Sequence, residues 1–149
     1  MSNQPYFSTP GARPKSVLGV DVDVYLDSSM TGGQYATYRC TVPPNVGPPP
    51  HRHDGFDEAF YVLDGEFEIL FGEETRTVGP GTYFFVPRGL VHTFRNVGET
   101  TASFLGTASP GGHEAFFVET DALGAEGPLS MEAAIGVCER HGIELVFPS

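Results

Sequence analysis

The chain is poor in several things, and each scarcity removes a class of function. Cysteine is limited to Cys40 and Cys138. Two residues so far apart form neither a disulfide framework nor a zinc cluster, so both are read as reduced, buried thiols of a cytoplasmic protein. Positive charge is scarce. Eight Lys and Arg face nineteen Asp and Glu, a formal net charge of −11, which argues against nucleic acid or an anionic membrane as partner. An anionic substrate would need local positive charge from a metal or an arginine. No apolar run is long enough to span a bilayer, and the N-terminus has no apolar signal core. No internal repeat appears, which points to one domain with one core across the 149 residues.

Glycine and proline, by contrast, are abundant, at 19 and 13 residues. With hydrophobic residues at 40% and aromatics at 12%, this composition predicts an all-β fold with many tight turns. Met1 to Lys15 is polar and carries Pro5, Pro10 and Pro14. It reads as a flexible arm (1–15), loose or laid on a neighbouring subunit. A barrel follows over 16–109. Its expected strands begin with Val17 to Leu26 and Gln34 to Val42. Glu58 to Leu63 comes next, with Phe67 to Phe71 paired back against it through the Asp64-Gly65 turn. Thr75 to Val78, Tyr83 to Val86, His92 to Asn96 and Ala102 to Ala108 complete the set. A helical extension occupies 110–149. A short helix is expected over His113 to Thr120, and a second over Met131 to His141, with Ser130 as N-cap and Gly142 as its stop. Ile143 to Phe147 is a last strand or a tail.

The segment from Gly47 to Gly65 reads GPPPHRHDGFDEAFYVLDG. His51 and His53 are two apart, so on a strand both imidazoles project to one face. Glu58 follows, and Asp57 beside it has the wrong parity. The segment from Gly81 to Asn96 reads GTYFFVPRGLVHTFRN and supplies a third histidine, His92, after the Pro87-Arg88-Gly89 turn. Strand pairs facing each other across a barrel would bring His92 towards His51 and His53. Imidazole and carboxylate are ligands for a first-row divalent metal.

These two stretches resemble the paired motifs of the cupins. His51, His53, Glu58 and Gly65 match the first motif, with one departure: three residues separate Gly47 from His51 where five are usual. Gly81, Pro87, Gly89, His92 and Asn96 match every position of the second. The wider pattern resembles single-domain cupins akin to quercetin dioxygenases. The resemblance implies an all-β double-stranded β-helix, or jelly-roll barrel, with one or two short C-terminal helices, and a homodimer. It also implies one divalent transition metal per chain (Fe, Ni, Mn, Co or Zn) held by His51, His53, Glu58 and His92.

For function, the resemblance implies a dioxygenase acting on a small enol or phenol chelated to the metal, with dioxygen as co-substrate. Glu58 is either a fixed ligand or the catalytic base that takes the substrate proton. The alternatives are a non-oxidative cyclase, isomerase or lyase on a polyketide-like or carbonyl substrate, and a non-enzymatic module that binds a small ligand. Strand parity offers Phe60, Phe94, Phe104, Tyr38 and Tyr83 as residues lining the substrate cavity, with Val62 and Phe85 as further positions. Arg52 should point away from the metal and Arg88 into solvent. Asn96 is read as structural, and His113 as a surface residue opening the first helix.

Overall fold

A computed structural model describes residues 4–9 and 13–147. Eleven strands form two antiparallel sheets closed by two helices. In chain order they are β1 (Lys15–Val17), β2 (Val20–Leu26), β3 (Ala36–Val42), β4 (His51–His53), β5 (Asp57–Asp64), β6 (Phe67–Phe71), β7 (Glu74–Val78), β8 (Tyr83–Val86), β9 (His92–Asn96), β10 (Ala102–Ser109), α1 (Glu114–Gly124), α2 (Met131–Arg140) and β11 (Ile143–Leu145). One sheet runs β1-β2-β3-β10-β5-β8 and the other β11-β4-β9-β6-β7. The all-β jelly-roll class with two short C-terminal helices is the observed fold. The inner faces meet in a core that includes Val22, Val42, Val62, Phe67, Ile69 and Phe104, the alternating apolar set that a sandwich of two sheets must bury.

Three expectations about strands are corrected. Val17 to Leu26 is not continuous: Leu18 and Gly19 both have positive φ and fold it into the β1–β2 hairpin. Phe67–Phe71 does not pair back on β5. The Asp64-Gly65 turn carries the chain across to the other sheet, where β6 pairs with β7 and β9. His92 does not face His51 from across the barrel either. β4 and β9 are neighbours in one sheet, with His51 directly opposite His92, and it is Glu58 on β5 that comes from the opposite sheet.

Motif positions that carry no candidate ligand, and the segments beyond the motifs, complete this framework. Gly47 sits where a Cβ would fall 2.0 Å from the Phe94 carbonyl oxygen, so only glycine lets the proline-rich approach to β4 lie against β9. Its shifted spacing does not remove the need for it. Asn96 is fully buried, and its side-chain amide bonds the carbonyls of Val42 and Thr100 while accepting from Gly98 N–H. That is the structural role expected of it. Residues 13–15 of the expected arm belong to the barrel: Arg13 pairs with Asp121 at 2.7 Å and Lys15 opens β1. Residues 1–3 and 10–12 of that arm lie outside the described residues.

The C-terminal segment is integral rather than appended. Helix α1 starts later and runs further than expected, over Glu114–Gly124. It is held to the sheet at both ends. Glu114 accepts from the Ser28 and Gly112 N–H groups, and Asp121 accepts from Arg13 and the Ser16 N–H. Helix α2 has Ser130 as its N-cap, accepting from Ala133 N–H. β11 then pairs with β4, setting Ile143 opposite His53 and Leu145 opposite His51. Among the described residues no helix is long and apolar enough to cross a membrane.

Candidate metal centre

His51 and His53 project from β4 and His92 from its partner β9, and their ligand nitrogens lie within 4.8 Å of one another. The ring centroids are 4.4 Å apart for His51 and His92, 5.0 Å for His53 and His92, and 6.1 Å for His51 and His53. Each Nδ1 is committed to a backbone carbonyl: His51 to Pro49 at 2.9 Å, His53 to Phe56 at 3.1 Å and His92 to Leu90 at 2.9 Å. Donation from Nδ1 fixes the tautomer and leaves the Nε2 lone pair of each ring free.

Those lone pairs have nothing suitable to bind within the chain. His92 Nε2 is buried without a hydrogen-bond partner. His53 Nε2 lies 2.7 Å from Glu58 Oε1, yet a neutral ring donating from Nδ1 cannot also donate from Nε2. Such an approach of two lone-pair atoms requires a positive charge, from an extra proton or a cation. A divalent metal satisfies all of these atoms at once, so the donor set fits one.

Glu58 enters from β5 and is 5% exposed. Its Oε1 faces the triad, with His92 Nε2 at 3.5 Å. Its Oε2 accepts from the Tyr38 hydroxyl and lies 4.0 Å from His113 Nε2. Burial opposes the Glu58 charge, but the facing imidazoles of His53, His92 and His113 outweigh it and hold the carboxyl well below its usual range. Burial and then the Glu58 charge push the Tyr38 phenol well up, so it is a donor and not an acceptor. Gly106 makes room for that ring, since a Cβ there would come 2.4 Å from Tyr38 Cε2.

Burial pushes His51 down to about 4, aided by repulsion from His92, and pushes His113 down to about 4 against the attraction of Glu58. Both start from 6.5 in the unfolded chain. As pH falls the unfolded chain takes protons first, so stability is complete above about 6.5 and is lost as pH falls towards 4. Glu58, with its lowered value, adds loss in the same direction at lower pH. Thermal melts of chelator-treated protein should show the midpoint falling steadily between these limits. A flat profile would contradict the neutral, buried state of both rings.

Above Glu58 lies a cavity of about 90 Å³, lined by Tyr38, His51, Glu58, Phe60, His92, Phe94 and Phe104 from the sheets and closed by His113, Phe116 and Phe117 near the start of α1. Of the five positions offered by parity, Phe60, Phe94, Phe104 and Tyr38 face this cavity. Tyr83 is corrected. It is 67% exposed on the outer face, as is Phe85 at 57%. The register sets Val86 opposite Glu58 and Tyr83 opposite Tyr61, and Val86 takes the inward position. Asp57 points outward to Arg88, and Arg52 pairs with Glu144 on the surface. His113 is the residue that strand reasoning misplaced: its side chain is only 9% exposed. Its spacing from Phe116 and Phe117, i to i+3 and i+4, puts all three on one helix face and was the available signal.

Comparison with known proteins places this arrangement. The Cupin domain family matches residues 38–107, which contain both motifs and all four motif ligands, and solved cupin structures share the two-sheet fold. Residues 38–107 form a domain of the cupin superfamily. Among curated relatives of this cupin, germin-like protein subfamily 1 member 4 of Arabidopsis thaliana is 31% identical over 113 residues, covering 68% of this chain and 49% of the relative. Putative germin-like protein 9-2 of Oryza sativa is 30% identical, covering 70% and 53%. The cupin spans between about a quarter and about a half of the length of the curated relatives it matches. Of solved structures, KdgF from Halomonas sp. superposes with a TM-score of 0.67 at 18% identity over 75% of this chain and 99% of that one. The polyketide cyclase RemF from Streptomyces resistomycificus gives 0.59 at 26% identity, over 72% and 79%.

Proposed function

We propose that this cupin is a metal-dependent dioxygenase of a compact enol or phenol, with Glu58 as the base. The observation that carries the reading is the position of the Glu58 carboxylate, between three inward-facing imidazoles and an apolar cavity, with its second oxygen held by Tyr38. His51, His53 and His92 would hold the metal through Nε2. When bound, the metal supplies Lewis acidity that lowers the pKa of a coordinated hydroxyl and brings dioxygen to the same centre. Glu58, kept ionised, accepts the hydroxyl proton of the substrate at Oε1 or Oε2. Tyr38 orients that carboxylate, and Phe60, Phe94 and Phe104 exclude water.

Cavity size narrows the substrate. An apolar cavity of about 150 Å³ takes benzene, whereas this one encloses about 90 Å³. The smaller space favours an acyclic enol such as a β-diketone over a phenol ring or a fused flavonol, either of which would have to project from the open side of the cavity. A second reading, oxygen-independent cyclase or isomerase chemistry on a carbonyl, draws support from the likeness to RemF.

The test is turnover of catechol, acetylacetone and quercetin by protein reconstituted singly with Fe, Ni, Mn, Co or Zn, with dioxygen uptake recorded. Expected is uptake tied to consumption of one of the two smaller substrates. Turnover persisting under argon would move the assignment to the second reading, and no turnover with any metal would remove the oxygenase reading.

A further inference from the structure

The triad and Glu58 leave one buried polar side chain of the cavity without a task. His113 stands at the N-terminal end of α1, beside the second carboxylate oxygen of Glu58. Glu58 shows Oε1 to His53 and His92 and Oε2 to Tyr38 and His113. The His113 ring is fixed by aromatic neighbours: Phe56 at 4.5 Å, Phe117 at 4.6 Å, Phe116 stacked at 5.7 Å and Tyr38 edge-on at 5.9 Å. Neither ring nitrogen has a hydrogen-bond partner among the described residues. Nδ1 is sealed from solvent, and Nε2 is 4.0 Å from Glu58 Oε2, beyond hydrogen-bonding range.

Leaving a buried imidazole unpartnered costs about 1–3 kcal/mol, and a native fold rarely bears that without a use. Packing gives no reason for a histidine here. The cage is aromatic, and phenylalanine would fill it with no polar atom to satisfy. Asn96 shows how this fold treats a structural polar residue, with partners for both ends of its amide. His113 differs: among the described residues it has no such partner, and it forms part of the cavity wall.

We propose that His113 is a substrate-binding residue that hydrogen-bonds a second oxygen of the ligand, so that the site takes compact molecules with two oxygens, an enolised 1,3-dicarbonyl being the simplest. One oxygen faces the His51, His53 and His92 end of the cavity, and the other faces His113. The proposal rests on the metal-dependent reading of this site and extends it to substrate class. A ligand with one polar end satisfies the triad end and leaves His113 as unpartnered as it is in the free protein. A ligand with two satisfies both ends, since His51, His92 and His113 line the same small cavity.

The experiment compares wild type, His113→Phe and His113→Gln, each stripped and reloaded with cobalt. Cobalt content is measured, and acetylacetone and azide are titrated by the visible spectrum of the metal. Cobalt content is expected to be equal in all three, and azide to bind all three within twofold. His113→Phe should weaken acetylacetone about tenfold, the loss of roughly one buried hydrogen bond, and His113→Gln should recover part of it. Equal acetylacetone affinity in wild type and His113→Phe would overturn the proposal, as would azide binding to a wild type that ignores acetylacetone. Loss of cobalt in both variants would make His113 a metal ligand and also overturn it. A wild type that takes up no cobalt would remove the metal-dependent reading itself, a result visible before either ligand is added.

Discussion

Glu58→Gln should lower turnover by about 10²–10⁴-fold, the usual contribution of a general base, while metal content stays near that of the wild type. Glutamine preserves the shape of the side chain. Its carbonyl oxygen can still accept from the Tyr38 hydroxyl, which holds Oε2 in the native site. In the metal-free protein its amide N–H can donate to His53 Nε2, which stands 2.7 Å from Oε1. The substitution thus removes the proton acceptor without leaving a cavity or an orphaned buried group. Single-turnover assays beside elemental analysis separate the two roles open to this residue. A base gives normal metal content with slow chemistry. A fixed ligand gives depleted metal, and turnover recovers with excess metal in the assay. Unchanged turnover would remove Glu58 from the chemistry altogether.

Stripping the metal should lower the melting temperature by roughly 5–10 °C. A ligand present at 100 times its dissociation constant stabilises the folded state by about 2.7 kcal/mol, and for a chain of this size each kcal/mol moves the midpoint by about 2–4 °C. The physical source is the crowding of unpaired donor atoms at the centre. Three Nε2 lone pairs converge, one of them buried without a partner and another pressed against a carboxylate, and a cation relieves all of them together. Scanning fluorimetry with and without chelator, then with each metal added back, reads this directly. His92→Ala should abolish the difference, because it removes the ligand that connects β9 to the centre. A chelator-insensitive melting temperature, with no metal taken up on reconstitution, would sink the centre.

What the sequence disclosed follows from how local each signal is. His51, His53 and Glu58 lie within eight positions, and the His-Arg-His alternation of β4 is readable by parity alone. Gly81, Pro87, Gly89, His92 and Asn96 hold a fixed spacing because a turn and one strand contain them all. The Ser130 cap and the limits of α2 are short-range features as well. Errors arose where the deciding contact is distant. Tyr83-Phe84-Phe85-Val86 is apolar at every position, so its inward parity is set by the pairing of Val86 with Glu58 and not by its own pattern. The Asp64-Gly65 turn has hairpin chemistry, but β10 already occupies the flank of β5 opposite β8, and β6 finds its partners in the other sheet. His113 looked solvent-facing because the aromatic cage around it is assembled from β3, the β4–β5 connection and α1, segments far apart in sequence.

The position of β11 has a consequence for the order in which the molecule is built. β4 carries two of the three imidazoles, is only three residues long, and is flanked by β9 on one side and by β11 on the other. During synthesis the ribosome delivers His51 and His53 some ninety positions before Ile143–Leu145, so β4 waits with one edge bare while the rest of the barrel is made. Long-range pairings of this kind close late and slowly. β4, which carries two of the three converging imidazoles, is therefore among the last strands to gain its second neighbour.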